Sequence, residues 1–333
     1  QNAQGKTNLL ESIYLLGTMK SFRHAKNTEL ITWGCATGVV HGLVERQGVT
    51  RNIALIINRE GKQVRVDRKA VIKLADFFGN LNVVIFSPEE IAMMKGMPEA
   101  RRRYLDRAVF SGDQSYLAVH HEYTKTLRQR NTLLKSDNRS GLDVWSEKLA
   151  QAGARVVGRR RAYLNAIEPL VADFYREIAG SGHTAALTYR PHLLQEDSGE
   201  DVALQLLQAL ERTAGEERRY CTTVVGPHRD DVAFLINGKV VKQHASQGEQ
   251  RSYVLALKMA EIEYLQRTFS HPPVLLLDDI SSELDRERSR NLMEFLKTKE
   301  MQVFISTTGL ETLPLDGIGD YTTFRVDGGK VLH

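Results

Sequence analysis

The chain is short of cysteine, of tryptophan and of long apolar runs. Cys35 and Cys221 are its only cysteines and form no C-x-x-C pair. That disfavours a zinc site or a disulfide framework and fits a reducing cytosol, so the expected location is cytoplasmic. The longest apolar run, Pro273-Val274-Leu275-Leu276-Leu277, stops at Asp278. It has the length of a strand and falls far short of the roughly 20 residues of a membrane helix, so no membrane contact is expected. No signal peptide, internal repeat or low-complexity segment is visible. Neither sign of charge dominates: 45 Lys and Arg oppose 41 Asp and Glu, a net +4. With so small an excess, where the charge sits matters more than its sum. Hydrophobic content of 42% and charged content of 26% across 333 residues suit one large or two medium globular domains.

What is present starts at the first residue. Gln1-Asn2-Ala3-Gln4-Gly5-Lys6-Thr7 needs one preceding glycine to read G-x-x-x-x-G-K-[ST], the Walker A phosphate loop. The apolar run Leu9, Leu10, Ile13, Tyr14, Leu15 predicts a helix over Lys6–Thr18. That context is needed, because phosphate sits where free N–H groups and the helix dipole favour an anion. Asn2, Gly5, Lys6 and Thr7 are the candidate contacts to a nucleoside triphosphate. The loop's first glycine and the strand that carries it are expected to precede Gln1. A bare G-K-T can also open a helix that binds nothing.

Alternating residues predict strands at 39–44, 51–58 and 63–66 in an antiparallel meander, then a short helix at 71–78 and a buried strand at 81–86. From Pro88 to about Ala179 the texture is helical, with breaks near Gly96-Met97-Pro98, Ser111-Gly112 and residues 136–142. Two long helices are predicted at 114–134 and 144–179, the second kinked at Pro169. A strand at 185–189 and a helix at 202–214 follow, and strands are predicted at 222–225 and 232–236. The remainder reads as helix 249–269, strand 274–277, helix 286–297, strand 302–306 and a hairpin around Asp327-Gly328-Gly329. The expected organisation is a mixed α/β lobe of residues 1–86 and 222–333, interrupted by a helical lobe of residues 87–221.

The run 274–277 ends in Asp278-Asp279. Alone this is a core strand and a turn. Together with Gly5-Lys6-Thr7 it reads as a Walker B, a strand that delivers a carboxylate to hold Mg²⁺. Thr7 and Asp278 are the candidate magnesium partners, and Asp279 would orient or deprotonate the attacking water, which makes Lys6, Asp278 and Asp279 the candidate catalytic set. About 30 residues earlier, Ser246-Gln247-Gly248-Glu249-Gln250-Arg251 stands before a helix. A serine there can be a plain N-cap. Its order and spacing resemble the signature motif of ABC-type ATPases, and Ser282-Glu283-Leu284-Asp285 resembles their D-loop. The resemblance implies that Ser246 and Gly248 contact a nucleotide held by a second copy.

The insertion from Lys6 to Ser246 spans 240 positions (246 − 6), far more than in a transporter ATPase and far less than in SMC-type coiled coils. Phe86-Ser87-Pro88-Glu89-Glu90, Arg101-Arg102-Arg103-Tyr104-Leu105-Asp106, Gly226-Pro227-His228-Arg229-Asp230-Asp231 and 276–285 resemble the RecF family of bacterial recombination proteins, over essentially the whole chain. That resemblance implies an α/β ABC-type P-loop ATPase head, a mixed sheet with flanking helices, carrying an inserted helical lobe. It implies ATP and Mg²⁺ as cofactors and an ATP-dependent homodimer. It also implies work on single-stranded DNA or a single/double-strand junction with RecO and RecR, in recombinational and gap repair and the SOS response. Departures are Asp279 where ABC-type ATPases carry glutamate, Ala245 where leucine is common, no evident Q-loop glutamine, and Ser306-Thr307-Thr308 in place of the switch histidine. Slow, switch-like hydrolysis stimulated by DNA is the expectation.

Residues 100–139 hold nine Lys and Arg against four Asp and Glu, a local +5. Arg101, Arg102, Arg103, Arg128 and Arg130 are the candidate DNA contacts, with a solvated or internally paired face as the alternative. Arg128, Arg130 and Lys135 cannot all share one helix face, since positions two apart diverge. Asp230 and Asp231 next to His228 read as a braced turn rather than a metal site. Two further readings stay open: a DNA-binding scaffold with a vestigial nucleotide site, and a transporter ATPase subunit. Lys6→Met should abolish nucleotide binding, as measured with a fluorescent ATP analogue; unchanged affinity would favour the scaffold.

Overall fold

Helix α1 (Lys6–Thr18) forms where the apolar periodicity predicts it and buries Leu10, Tyr14, Leu15 and Leu16. The computed structural model describes residues 4–137, 140–180, 182–192, 201–280, 284–313 and 319–332. The chain divides into two compact units, Gln1–Ala92 with Glu177–Gly180 and Gln247–His333, and Met93–Arg176 with Ser181–Ser246.

In the first unit, β1 (Thr37–Arg46), β2 (Val49–Asn58), β3 (Lys62–Val66) and β4 (Lys69–Ala70) make the expected antiparallel meander in that order. Gln47 and Gly48 join β1 to β2 with φ of 51 and 74, the left-handed pair of a tight hairpin turn. A parallel sheet is built from β5 (Val83–Phe86), β9 (Val274–Leu277) and β10 (Val303–Ile305), ordered β10-β9-β5. Its β5 and β9 strands are nearly uninterrupted apolar runs, as a sheet covered on both faces requires. Helix α1 serves two cores. Leu15 and Leu16 join Ile53, Leu55, Ile57 and Phe77, while Leu10 and Tyr14 join Phe22, Val83, Ile85 and Leu276. Each such side chain contributes about 1.5–3 kcal/mol of burial, so α1 is fixed against the ends of both sheets. A Cβ on Gly17 would stand 2.7 Å from Val83 Cγ2 and 2.9 Å from the Leu81 carbonyl oxygen, so this close approach needs glycine.

Helix α2 (Pro88–Lys95) follows β5, and α3 (Pro98–Gly112), α4 (Tyr116–Lys135) and α5 (Leu142–Ala179) follow it. Helix α5 continues through Pro169. Glu122 pairs with Arg155 at 2.6 Å and Arg130 Nε donates to Ser146 Oγ at 3.0 Å, so α4 and α5 run antiparallel. The second unit continues with β6 (Ala185–Arg190), α6 (Val202–Arg212), α7 (Ala214–Tyr220), β7 (Asp231–Ile236), β8 (Lys239–Val240) and α8 (Val241–His244). The first unit resumes with α9 (Gln247–Phe269), β9, α10 (Arg286–Lys297), β10, and the hairpin β11 (Arg325–Asp327) and β12 (Lys330–Leu332).

Three expectations differ from the structure. Residues 71–78 are not a helix: Val71 N–H extends the meander to the Val64 carbonyl, and only Leu74–Asp76 makes a 3₁₀ turn. Residues 222–225 are not a strand, because side chains take their backbone groups: Asn131 accepts from Thr223 N–H at 2.8 Å and Glu217 from Val224 N–H at 3.1 Å. The strand texture beyond them belongs to β7, which pairs with β6, and the return to the first unit falls at Gln247 instead of near 222.

Candidate functional site

Sheet register builds the centre of the site. Phe86 and Ile305 both pair with Leu277, so Asp278 and Ser306 emerge side by side at the C-terminal end of the strands. Asp278 is 5% exposed. Its Oδ1 accepts from Ser306 Oγ at 2.7 Å and from Thr7 Oγ1 at 3.0 Å. Ser306 Oγ in turn accepts from the Asp279 N–H at 3.0 Å. Asp279 has a φ of 50, a left-handed conformation that a non-glycine residue adopts at a cost and that recurs at functional sites.

Gly5, with φ of 102, precedes α1, and its carbonyl accepts from Leu9 N–H at 3.1 Å. The turn of the β11–β12 hairpin braces this corner: Gly329 N–H donates to the Gln4 carbonyl at 2.9 Å and Gly328 N–H to Gln4 Oε1 at 2.8 Å. A cleft of about 1010 Å³ opens here, lined by Lys6, Leu9, Phe304, Ser306, Thr307 and Phe324 among others. Gly5, Lys6 and Thr7 are thus brought to Asp278 from the other end of the sequence. The structural roles of Ser306 and of the 328–329 turn were not apparent from sequence. Asn2, Ser282 and Glu283 lie outside the described residues.

The donor set suits a hard cation. A hydroxyl and a carboxylate converge at Thr7 and Asp278, the sparse protein ligation that Mg²⁺ takes when phosphates and water fill its other positions. No group of three or more His, Cys, Asp or Glu able to hold a metal occurs among the described residues.

Ser246 is exposed and stands immediately before α9. Gly248 lies in the first turn of that helix, where the helix dipole favours an anion.

The basic residues of the second unit separate into two groups. Arg101, 7% exposed, grips Asp231 with Nε at 2.8 Å and a second guanidinium nitrogen at 2.6 Å. Arg102 donates to the Asp230 carbonyl at 2.8 Å, and Arg103 pairs with Glu99 at 2.6 Å. Arg130, 2% exposed, is held by Glu217 at 2.6 Å, Thr223 at 2.8 Å and Ser146 at 3.0 Å. The Arg101, Arg102 and Arg130 guanidiniums brace the fold, whereas Arg103 is exposed and its pair stays within α3; Arg101 and Arg130 are enclosed and cannot face DNA in this conformation. Arg128 is exposed, and with Lys125, Thr132 and Lys135 it forms one outward stripe of α4 at spacings of three and four. Tyr123, Thr126, Arg130 and Leu134 form the buried face opposite.

The turn of residues 226–231 is held by a polar network. Tyr189 hydroxyl donates to Asp230 at 2.5 Å, as does His192 N–H at 2.7 Å, while burial pushes this carboxyl up. Arg160 donates to the Pro227 carbonyl at 2.7 Å and pairs with Asp106 at 2.8 Å. Burial opposes the Asp106 charge, but Arg160, His120 and Tyr116 overcome it and hold that carboxyl down at about 2. Gly226 has a φ of 124, and a Cβ there would stand 2.7 Å from Tyr123 hydroxyl. His228 Nδ1 accepts from that hydroxyl at 2.6 Å and its Nε2–H donates to the Thr223 carbonyl at 3.1 Å, a neutral ring whose tautomer its partners set.

Phosphate loop, parallel sheet with its terminal carboxylates, and signature-bearing helix together define the head of an ABC-type P-loop ATPase. A family profile described as RecF/RecN/SMC N terminal domain matches residues 1–314. A DNA replication and repair protein RecF of Geotalea uraniireducens (strain Rf4) is 57% identical over 334 residues, covering 100% of this chain and 92% of the relative. The solved structure of the recombination mediator protein RecF-ATPrS in RecFOR pathway is 33% identical, covers 99% of this chain and 89% of its own, and superposes with a TM-score of 0.89. An Smc head domain of Pyrococcus yayanosii, 12% identical over 94% of this chain and 88% of its own, shares the fold at a TM-score of 0.51. The chain belongs to the RecF family.

Burial, with Arg229, Arg102 and Arg160 nearby, pushes the His228 ring down to about 4 from an ordinary 6.5. Between those values the unfolded chain binds a proton that the folded chain does not, so stability falls as pH drops from about 6.5 to about 4, by at most about 3 kcal/mol. Thermal melts across that range should show the loss, and His228→Gln should flatten it. An equally steep decline in that variant would assign the effect elsewhere.

Proposed function

We propose that the protein is an ATP-dependent DNA-binding switch of recombinational and replication-gap repair. The observation that carries this is the convergence of Thr7 and Ser306 on Asp278 at the start of α1. Lys6 and the first amides of α1 would hold the β- and γ-phosphates of ATP, and Thr7 and Asp278 would hold Mg²⁺. The cation would neutralise charge developing on the phosphates. Asp279 would orient the attacking water. Its side chain is one methylene shorter than the glutamate of other ABC-type ATPases, so hydrolysis is slow and suits a timed reset. Ser246 and Gly248, exposed or half-exposed at the start of α9, would close the site on a second copy. ATP binding then drives dimerisation on DNA, and hydrolysis stimulated by DNA releases it.

DNA would meet the outward stripe of Lys125, Arg128 and Lys135, with the exposed Arg103 beside them as a candidate, instead of Arg101, Arg102 and Arg130, whose guanidiniums are held within the fold. Phosphate contacts of this kind position a duplex or a single strand without reading sequence. The RecFOR pathway named for the solved relative supports RecO and RecR as partners at gapped DNA, with recombinase loading and the SOS response downstream. The proposed work is in the cytoplasm; no helix among the described residues is long and apolar enough to cross a membrane.

Sedimentation of the chain extended to the length of its relatives, with ATP and with or without gapped DNA, should show an ATP-dependent dimer. Ser246→Arg should keep nucleotide affinity and lose the dimer; ATP-bound monomers that hydrolyse at the normal rate would contradict the reading. Lys125→Glu with Arg128→Glu should weaken DNA binding by about tenfold and reduce the salt slope by about 1–2. Unaltered binding in that variant would move the DNA surface off α4.

A further inference from the structure

One side chain joins the first two turns of α9 to the first turn of α10. Arg288 donates its Nε–H to Ser252 Oγ at 2.7 Å and a terminal N–H to the Asp285 carboxylate. Its other terminal nitrogen lies against Gly248, where an added Cβ would stand only 3.2 Å away. Gly248 and Ser252 are four positions apart, so one face of α9 meets the guanidinium. Ser252 is 3% exposed, whereas the Asp285 side chain is 51% exposed. Asp285 also caps α10, accepting from the Arg288 backbone N–H at 2.9 Å.

Both ends of this bridge lead to the nucleotide chemistry. Ser246 stands two residues before Gly248. On the other side, Leu284 N–H donates to the Ile280 carbonyl at 2.9 Å; both residues are buried, and Ile280 directly follows Asp278-Asp279. Helix α9 itself has little freedom to slide. It is buried over most of its circumference, and Lys258 within it pairs with Glu90 at 2.5 Å and with Glu261 at 3.0 Å in nearly complete enclosure. A displacement of its first two turns therefore passes to whatever they hold, and Arg288, bonded to Ser252 there and to Asp285 on its own helix, makes a fork that lysine cannot reproduce.

We propose that Arg288 is a positioning residue that ties the signature turn at Ser246–Gly248 to the acidic segment after β9, so that engagement of a second copy's nucleotide at α9 is transmitted to Asp278 and Asp279. The proposal rests on the reading that two copies close around ATP. Arg288 touches neither nucleotide nor the reacting atoms; it acts through Ser252 and Asp285.

Hydrogen exchange on the nucleotide-free chain tests the tie directly. Arg288→Ala should speed exchange of the amides of residues 251–256 by about tenfold, the loss expected for one charge-assisted hydrogen bond. ATP-analogue affinity should be unchanged, and ATP-dependent association should weaken by about tenfold, within the ordinary range of coupling between sites. Ser252→Ala should reproduce both effects and add nothing to Arg288→Ala, since the two remove the same contact. Ser252→Ala removes only a hydroxyl and carries the same measurements should the arginine variant not fold. Unchanged exchange at 251–256, or wild-type association, in both variants would overturn the proposal. If the unmodified chain stays monomeric with ATP, the dimer reading falls on its own, and the exchange measurement still decides for or against the Arg288 tie.

Discussion

The Asp278 carboxylate is the point on which the first unit closes. A charge that is 95% enclosed is tolerable only when donors surround it, and Thr7 and Ser306 supply them from the segments on either side. Those two hydroxyls arrive for different reasons. Ser306 is delivered by strand register, one residue beyond the Ile305↔Leu277 pair. Thr7 is delivered by the packing of α1, whose Leu10 and Tyr14 are locked into the same core as Leu276. The apolar core and the polar centre are therefore one construction: shifting α1 by a fraction of a turn would unpair a buried carboxylate as well as open a cavity.

The second unit uses charge differently. Arg101, Arg130 and Arg160 are almost wholly enclosed, and each is matched by a carboxylate and by at least one further acceptor. Such pairs add little net stability over apolar packing, yet removing one partner costs about 3–5 kcal/mol because it strands a charge. Their effect is to fix where the 226–231 turn and the α4–α5 pair lie within the unit. What remains exposed on α4 is a smaller and more regular basic surface than the raw charge count suggests.

These facts explain what could be read from the sequence. The phosphate loop, the acidic strand end and the signature are short contiguous motifs whose chemistry is visible in single residues, and α1, β5 and β9 carry periodicities that nothing overrides. The divergence of Arg128 from Arg130 follows from helical period alone, and the structure sends one outward and the other inward. Which of the two was free to meet solvent did not follow, because the partner of Arg130 is Glu217, 87 positions away, and that of Arg101 is Asp231, 130 positions away. Residues 222–225 failed for a related reason: their strand-like composition is real, but Asn131 and Glu217 claim the hydrogen bonds that a ladder would need. Helix α7 was hidden by Gly215 in its second position.

The hydrogen bonds from Gly328 and Gly329 to Gln4 join residues more than three hundred positions apart. During synthesis the corner of the phosphate loop therefore leaves the ribosome long before the turn that braces it has been made. Until that turn is made the loop lacks its support, as Thr7 lacks Asp278 and Ser306 until they are made. A nascent chain can complete its second unit while this corner is still open, so the two ends of the first unit are joined only after the segment between them has been made.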